Sequence, residues 1–130
     1  MDSRIKVGKS TDGLVGKNPN KKPRYYAVID EDENENIVIS KITTHDPNNP
    51  NHVRKEKFGL RKPVKRFSSD SYIDATLYIE TREKKPIKKN YLNYKATNNF
   101  VFNKSESKTI RRFVFSKEKN RDRYKKFKKK

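Results

Sequence analysis

The sequence predicts a mostly β domain, a small antiparallel barrel with one late α-helix and a basic C-terminal tail, and three observations carry that reading. Short runs rich in Ile, Val, Tyr and Phe recur between turn residues, which is how strands that pack on a pleated surface read. One of them, 72–80, alternates apolar and polar side chains from end to end. The helix signal comes only near the C-terminus, and strands first with one helix last favour a small barrel. A chain of 130 residues suits one core. Residues 1–116 are therefore read as one domain, with 1–22 as a loop-rich entry segment and 117–130 as the tail.

The elements follow in order. Within the entry segment the residues around Arg4–Val7 suit one short strand. Arg-Tyr-Tyr-Ala-Val-Ile-Asp at 24–30 and Asn-Ile-Val-Ile-Ser-Lys-Ile-Thr-Thr at 36–44 read as two strands, and the acidic residues 31–35 are few enough to join them as a hairpin. Asp46-Pro47 and Asn49-Pro50 stop any ladder and predict an exposed loop. In 72–80, Ile73, Ala75, Leu77 and Ile79 share one face, while Asp74, Thr76 and Glu80 with the Tyr72 and Tyr78 hydroxyls share the other. At 103–115, Asn103 can cap a helix, Glu106 stands three residues on, and Ile110, Phe113 and Val114 share a face. Residues 109–115 alternate well enough to be a strand instead, and periodicity leaves both readings open. The tail, 117–130, holds nine basic and two acidic residues, and is expected to be solvated or to become helical only on a polyanion.

Charge narrows the partner. Thirty-four Lys and Arg against 16 Asp and Glu give a net charge of +18 and a pI near 10.1, a field that gathers polyanions and makes their binding fall with salt. The excess is concentrated at 54–66, at 83–95 and in the tail. An anionic membrane fits less well, since that partner calls for a basic amphipathic helix with an apolar face to insert. Without a secretory leader or an apolar run of spanning length in the sequence, the expected compartment is the cytoplasm.

Several chemistries are excluded. The chain lacks cysteine and has two histidines, so thiol nucleophiles, disulfides, Cys-bound zinc and His-rich metal sites are not expected. Glycines at 8, 13, 16 and 59 match neither the nucleoside triphosphate nor the dinucleotide loop. The acidic run 30–35 reads as a turn and lacks the calcium-loop pattern. No metal and no cofactor is expected.

Two motifs remain: Lys-Lys-Pro-Arg-Tyr-Tyr-Ala-Val-Ile at 21–29 and Ser-Lys-Ile-Thr-Thr-His at 40–45. Together with Ser-Tyr-Ile-Asp at 71–74, they resemble the MazF/PemK family of toxin endoribonucleases. In that family a basic loop and an Arg-Pro step lead into a strand, a second strand ends near Lys-Leu-Pro-Thr-His, and a later segment commonly reads Ser-Tyr-Val-Asp. The resemblance spans about 21–79. It departs from the family in the order Pro23-Arg24, in a first loop with few glycines and in the basic tail.

The resemblance implies an SH3-like barrel, RNA as the polyanion, and metal-independent cleavage in which the RNA's own 2′-hydroxyl attacks. It implies that Arg24 stabilises the charge growing on the scissile phosphate, that Thr44 orients that phosphate and that His45 moves a proton. It also implies an acidic antitoxin-like partner and a homodimer. Phosphate-tracking residues are expected at Lys21, Lys22, Arg54, Lys55, Lys57, Arg61, Lys62, Lys65 and Arg66, and base-stacking residues at Tyr91 and Tyr94. Tyr25 and Tyr26 lie within a strand and are expected to pack. A non-catalytic nucleic-acid-binding protein on the same fold stands beside the nuclease reading, and a protein-interaction module for an acidic partner stands behind both.

Overall fold

The computed structural model describes residues 4–10, 14–15, 24–44, 57–60, 71–74 and 76–129. Five strands, β1 Lys6–Ser10, β2 Arg24–Glu31, β3 Ile37–Thr44, β4 Lys57–Leu60 and β5 Ser71–Asp74, form one antiparallel sheet in the order β1-β2-β3-β5-β4. Two helices follow, α1 Lys104–Val114 and α2 Glu118–Lys128. The fold is thus mostly β with a small helical layer, and the sheet is open where a barrel is expected. Segment 76–101 runs back along it through isolated bridges, Ile39 to Tyr78, Lys9 to Asn93 and Lys6 to Val101, covering the outer edge of β1 that would otherwise present unpaired backbone.

The strands bury both faces, which explains why β2 and β3 read as nearly continuous apolar runs. On one face Ile5, Val7, Ala27, Ile29, Val38, Ile42 and Ile73 pack with Ile110 and Val114 of α1 and Phe127 of α2. On the other, Tyr26, Val28, Ile37 and Ile39 pack with Val15, Ile87 and Leu92. Gly8 makes that second layer possible: a Cβ there would stand 2.7 Å from Leu92 Cβ, so the strand accepts glycine's weaker intrinsic preference in exchange for close approach.

The β2–β3 hairpin forms as the acidic run predicts. Asp32 Oδ1 accepts from the amides of Asn34 and Asn36, both at 2.9 Å, and Glu35 takes a left-handed φ of 64° as tight turns require. A bulge between Val28 and Asp30 releases the Ile29 carbonyl from the ladder, and Arg111 Nε donates to it at 2.9 Å.

Three expectations are corrected. The first strand lies at Lys6–Ser10, shifted from Arg4–Val7. Among the described residues of 72–80 only the start is laddered, as β5, although Ile73 and Leu77 are fully buried as the alternation demands. The expected tail is not solvated throughout, for its described residues 117–129 are mostly helical. Within them α2 places Asn120 and Phe127 in the interior, 2% and 4% exposed, and Asn120 ties the helix down by accepting from Leu77 N at 2.9 Å and donating to the Val114 carbonyl at 2.7 Å. Helix α1 settles the open reading of 109–115, and its start has the expected reciprocal cap: Asn103 accepts from Glu106 N at 2.7 Å and Glu106 accepts from Asn103 N at 3.1 Å.

Candidate nucleic-acid interface

Antiparallel register decides which residues meet at each end of the sheet. Arg24 opens β2 opposite Ser10, the last residue of β1. The pair Tyr25↔Ile42 puts the Arg24 end of β2 beside the end of β3, where Thr44 stands opposite Ser71 at the start of β5. Leu60, the last residue of β4, joins the same end through Ser71. Arg24 is half-buried and has no ion-pair partner among the described residues. Two expected site positions, Arg24 and Thr44, therefore sit at one sheet end on adjacent strands. His45, Lys21, Lys22, Arg54, Lys55, Arg61, Lys62, Lys65 and Arg66 lie outside the described residues. Lys57 begins β4 opposite Asp74, so its backbone is at the other end of that strand.

Around this end, aromatic rings are paired with lysines. Lys9 Nζ stands 5.6 Å from the Tyr25 ring centroid and Lys41 Nζ 5.3 Å from that of Tyr78, distances at which the ring quadrupole attracts a cation. Tyr26 is fully buried and its hydroxyl has no hydrogen-bond partner among the described residues. Burial raises its pKa against smaller opposing effects of the Leu14 backbone and the Arg24 charge. Tyr25 and Tyr26 do pack, as strand residues should. The lysine–tyrosine pairs escape a linear reading because Lys9 meets Tyr25 only through the β1–β2 register.

The two later tyrosines differ. Tyr91 ends a single 3-10 turn at Lys89–Tyr91 and is 45% exposed, an open ring. Tyr94 is half-buried against the second core layer and donates to the Lys89 carbonyl at 2.9 Å. Desolvation by burial, with the Glu31 charge adding to it, pushes its pKa up to about 12.

The opposite end of the sheet is acidic, and Asp30, Glu31 and Asp32 there are engaged inside the molecule. Asp30 accepts from the Tyr124 hydroxyl and pairs with Lys128 at 3.4 Å. Glu31 pairs with Lys89 at 3.7 Å. Asp32 holds the turn, and although burial works against its charge, bonds from Asn36 and Asn34 lower its pKa. A cleft of about 600 Å³ between the hairpin and the helices is lined by Arg4, Lys6, Arg111 and Lys128 and, in equal number, by Asp30, Glu31, Asp32 and Glu33. With both signs on its walls, it has no net attraction for a polyanion. Among the described residues there is no cluster of three or more His, Cys, Asp or Glu able to hold a metal ion, and no helix is long and apolar enough to cross a membrane.

No protein-family model matches the chain, and no curated protein or solved structure matches it.

Proposed function

We propose that the protein binds single-stranded RNA at the Arg24 end of the sheet and cuts it without a metal ion, in the manner of toxin endoribonucleases. The observation that carries the reading is Arg24, without an ion-pair partner among the described residues, at the strand end where β3 finishes in Thr44, about 20 Å along β2 from an acidic end where Asp30, Glu31 and Asp32 are already engaged. In the proposed step the 2′-oxygen of one nucleotide attacks its own 3′-phosphorus and the bond to the 5′-oxygen of the next nucleotide breaks. The products are a 2′,3′-cyclic phosphate and a 5′-hydroxyl. The proton lost by the 2′-hydroxyl passes to a base, for which His45 is the proposed group, and the departing oxygen takes up a proton. Arg24 would meet the added negative charge on the phosphoryl oxygens, and Thr44 would donate a hydrogen bond to one of them.

The fold supports this reading at a coarser level. The bridges linking β1 to Asn93 and Val101, and β3 to Tyr78, fit an SH3-like barrel closed through segment 76–101. An acidic antitoxin-like partner would cover the basic end, and a homodimer and a cytoplasmic location belong to the same reading. Non-catalytic binding is favoured by exposed Tyr91 and the Lys9–Tyr25 pair, which suit holding a strand and perform no chemistry.

The deciding experiment incubates the protein with mixed single-stranded RNA in EDTA. Discrete fragments ending in cyclic phosphate are expected, and Arg24→Ala and Thr44→Ala should each abolish them. Intact RNA with a salt-sensitive gel shift would leave binding without cleavage. Absence of any shift at low salt would end both readings.

A further inference from the structure

The helical layer carries two exposed stripes of basic residues, one on each helix. On α1, Lys104, Lys108 and Arg112 are spaced i, i+4, i+8 and all three are exposed. On α2, Arg121, Lys125 and Lys129, the last being the C-cap, repeat the spacing and are also exposed. Each stripe is about 12 Å long at the α-helical rise. Like charges four residues apart destabilise a helix by a few tenths of a kcal/mol per pair, and Lys104 puts a cation at the positive end of the α1 dipole. The one acid in the first turn of α1, Glu106, is occupied with the Asn103 amide. None of Lys104, Lys108, Arg112, Lys125 and Lys129 has an ion-pair partner among the described residues, and Arg121 Nη1 donates to the Phe115 carbonyl at 2.8 Å.

Solubility does not call for this pattern, since a net charge of +18 already exceeds the roughly 2 to 8 that keeps a small domain in solution. A membrane is a poor occupant, because the apolar face of the layer, Ile110, Val114 and Phe127, is spent in the core. Runs of like charge four residues apart, with five of the six cations in neither an ion pair nor a side-chain hydrogen bond among the described residues, mark a surface used for binding.

We propose that the outer stripes of α1 and α2 form a second docking surface for the phosphodiester backbone of single-stranded RNA, separate from the Arg24 end. This rests on the RNA-binding reading above and adds its second contact region. The helices are anchored toward the acidic half of the sheet: Ser107 Oγ accepts from Ile5 N at 2.9 Å, Arg111 reaches Ile29, and Tyr124 and Lys128 reach Asp30. A strand held at both regions must therefore cover on the order of 20 Å, so the second contact should be felt by long RNA and not by short.

The test compares wild type with K104Q/K108Q/R112Q, with R121Q/K125Q/K129Q and with a control, K84Q/K85Q/K95Q, which removes three exposed charges elsewhere. Each is titrated against labelled RNA of roughly 6 and roughly 24 nucleotides, bracketing the site sizes of small single-strand binders. Each helical triple should weaken binding of the longer RNA about tenfold and flatten its salt slope by about 2, as the loss of three phosphate contacts predicts. Both should leave the shorter RNA within twofold, and circular dichroism should show the helices intact. Either helical triple matching the control on the longer RNA overturns the proposal. Wild type binding neither RNA would instead remove the functional reading beneath it, so the two failures are distinct.

Discussion

The two ends of the sheet carry opposite charge and treat it in opposite ways. At the hairpin end, Asp30, Glu31 and Asp32 are each matched inside the molecule, to Tyr124 and Lys128, to Lys89, and to the turn amides. At the other end Arg24 has no such match among the described residues. The contrast separates charge matched inside the fold from charge that, on the proposed reading, meets RNA, a distinction the net value of +18 cannot make. It also predicts that the ends respond differently to change: damage on the hairpin side should cost stability, and damage on the Arg24 side should cost RNA binding.

The largest effect should come from the helix that closes the hairpin side. Phe127, 4% exposed and within the main core cluster, leaves a large void when cut to alanine. Phe127→Ala should lower unfolding free energy by about 3 kcal/mol in urea titration, a large part of the total for a small domain. A loss below about 0.5 kcal/mol, the scale of an ordinary surface substitution, would mean that α2 is an appendage and that the contrast between the ends is misdrawn.

Alkaline titration should act on the same side and somewhat less. The Tyr94 pKa is raised from 10.0 to about 12. A raised folded-state value means that the native state favours the protonated phenol, so its stabilisation is complete below pH 10 and is lost as pH climbs toward 12. At about 1.36 kcal/mol per decade two decades amount to about 2.7 kcal/mol, and solvent screening of the half-buried ring leaves on the order of 2 kcal/mol. Tyr26 and Tyr124, both raised chiefly by burial, add in the same direction. Melting temperature should be flat up to pH 10 and fall above it, and Tyr94→Phe should flatten the fall. Because any other alkaline effect is common to both proteins, the difference between them is the quantity to read. Parallel curves would show that Tyr94 is not the group responsible.

Much of this architecture was legible because the signals were local. The β-branched runs of β2 and β3 flank an acidic turn, and Asn103 with Glu106 announces a capped helix. What composition concealed was α2. Lysines and arginines dominate it, yet Asn120, Tyr124 and Phe127 stand at i, i+4 and i+7, a helical face made of only three side chains. The strand at 72–80 failed for a different reason. Its alternation reports burial, and burial survives in Ile73 and Leu77, but the edge of β3 is shared between β5 and Tyr78, so the ladder is broken. For the site, Arg24 and Thr44 were adjacent only through register. His45 and the basic residues at 54–55 and 61–66 lie outside the described residues.

Arg24→Ala should invert the Phe127 result. As a residue with no ion pair among the described residues to lose, it should change stability by less than about 0.5 kcal/mol while weakening RNA binding about tenfold, roughly 1.4 kcal/mol. Equal loss in both assays would give Arg24 a structural role and remove the distinction between the ends.

The smallest effect belongs to the cap of α1, and it tests the helical layer from the side the core does not control. Asn103 satisfies the Glu106 amide, and Glu106 in return satisfies Asn103. Asn103→Ala removes one of these bonds and weakens the other, which in comparable caps costs about 1 kcal/mol. The cap also fixes where the exposed stripe of α1 begins, since Lys104 is the first helical residue. If the stripe binds RNA, fraying this turn should lower affinity for long RNA about twofold beyond the change in stability, and Asn103→Asp, which keeps the accepting oxygen, should restore both. Recovery of stability without recovery of binding would separate the helix from the surface it displays.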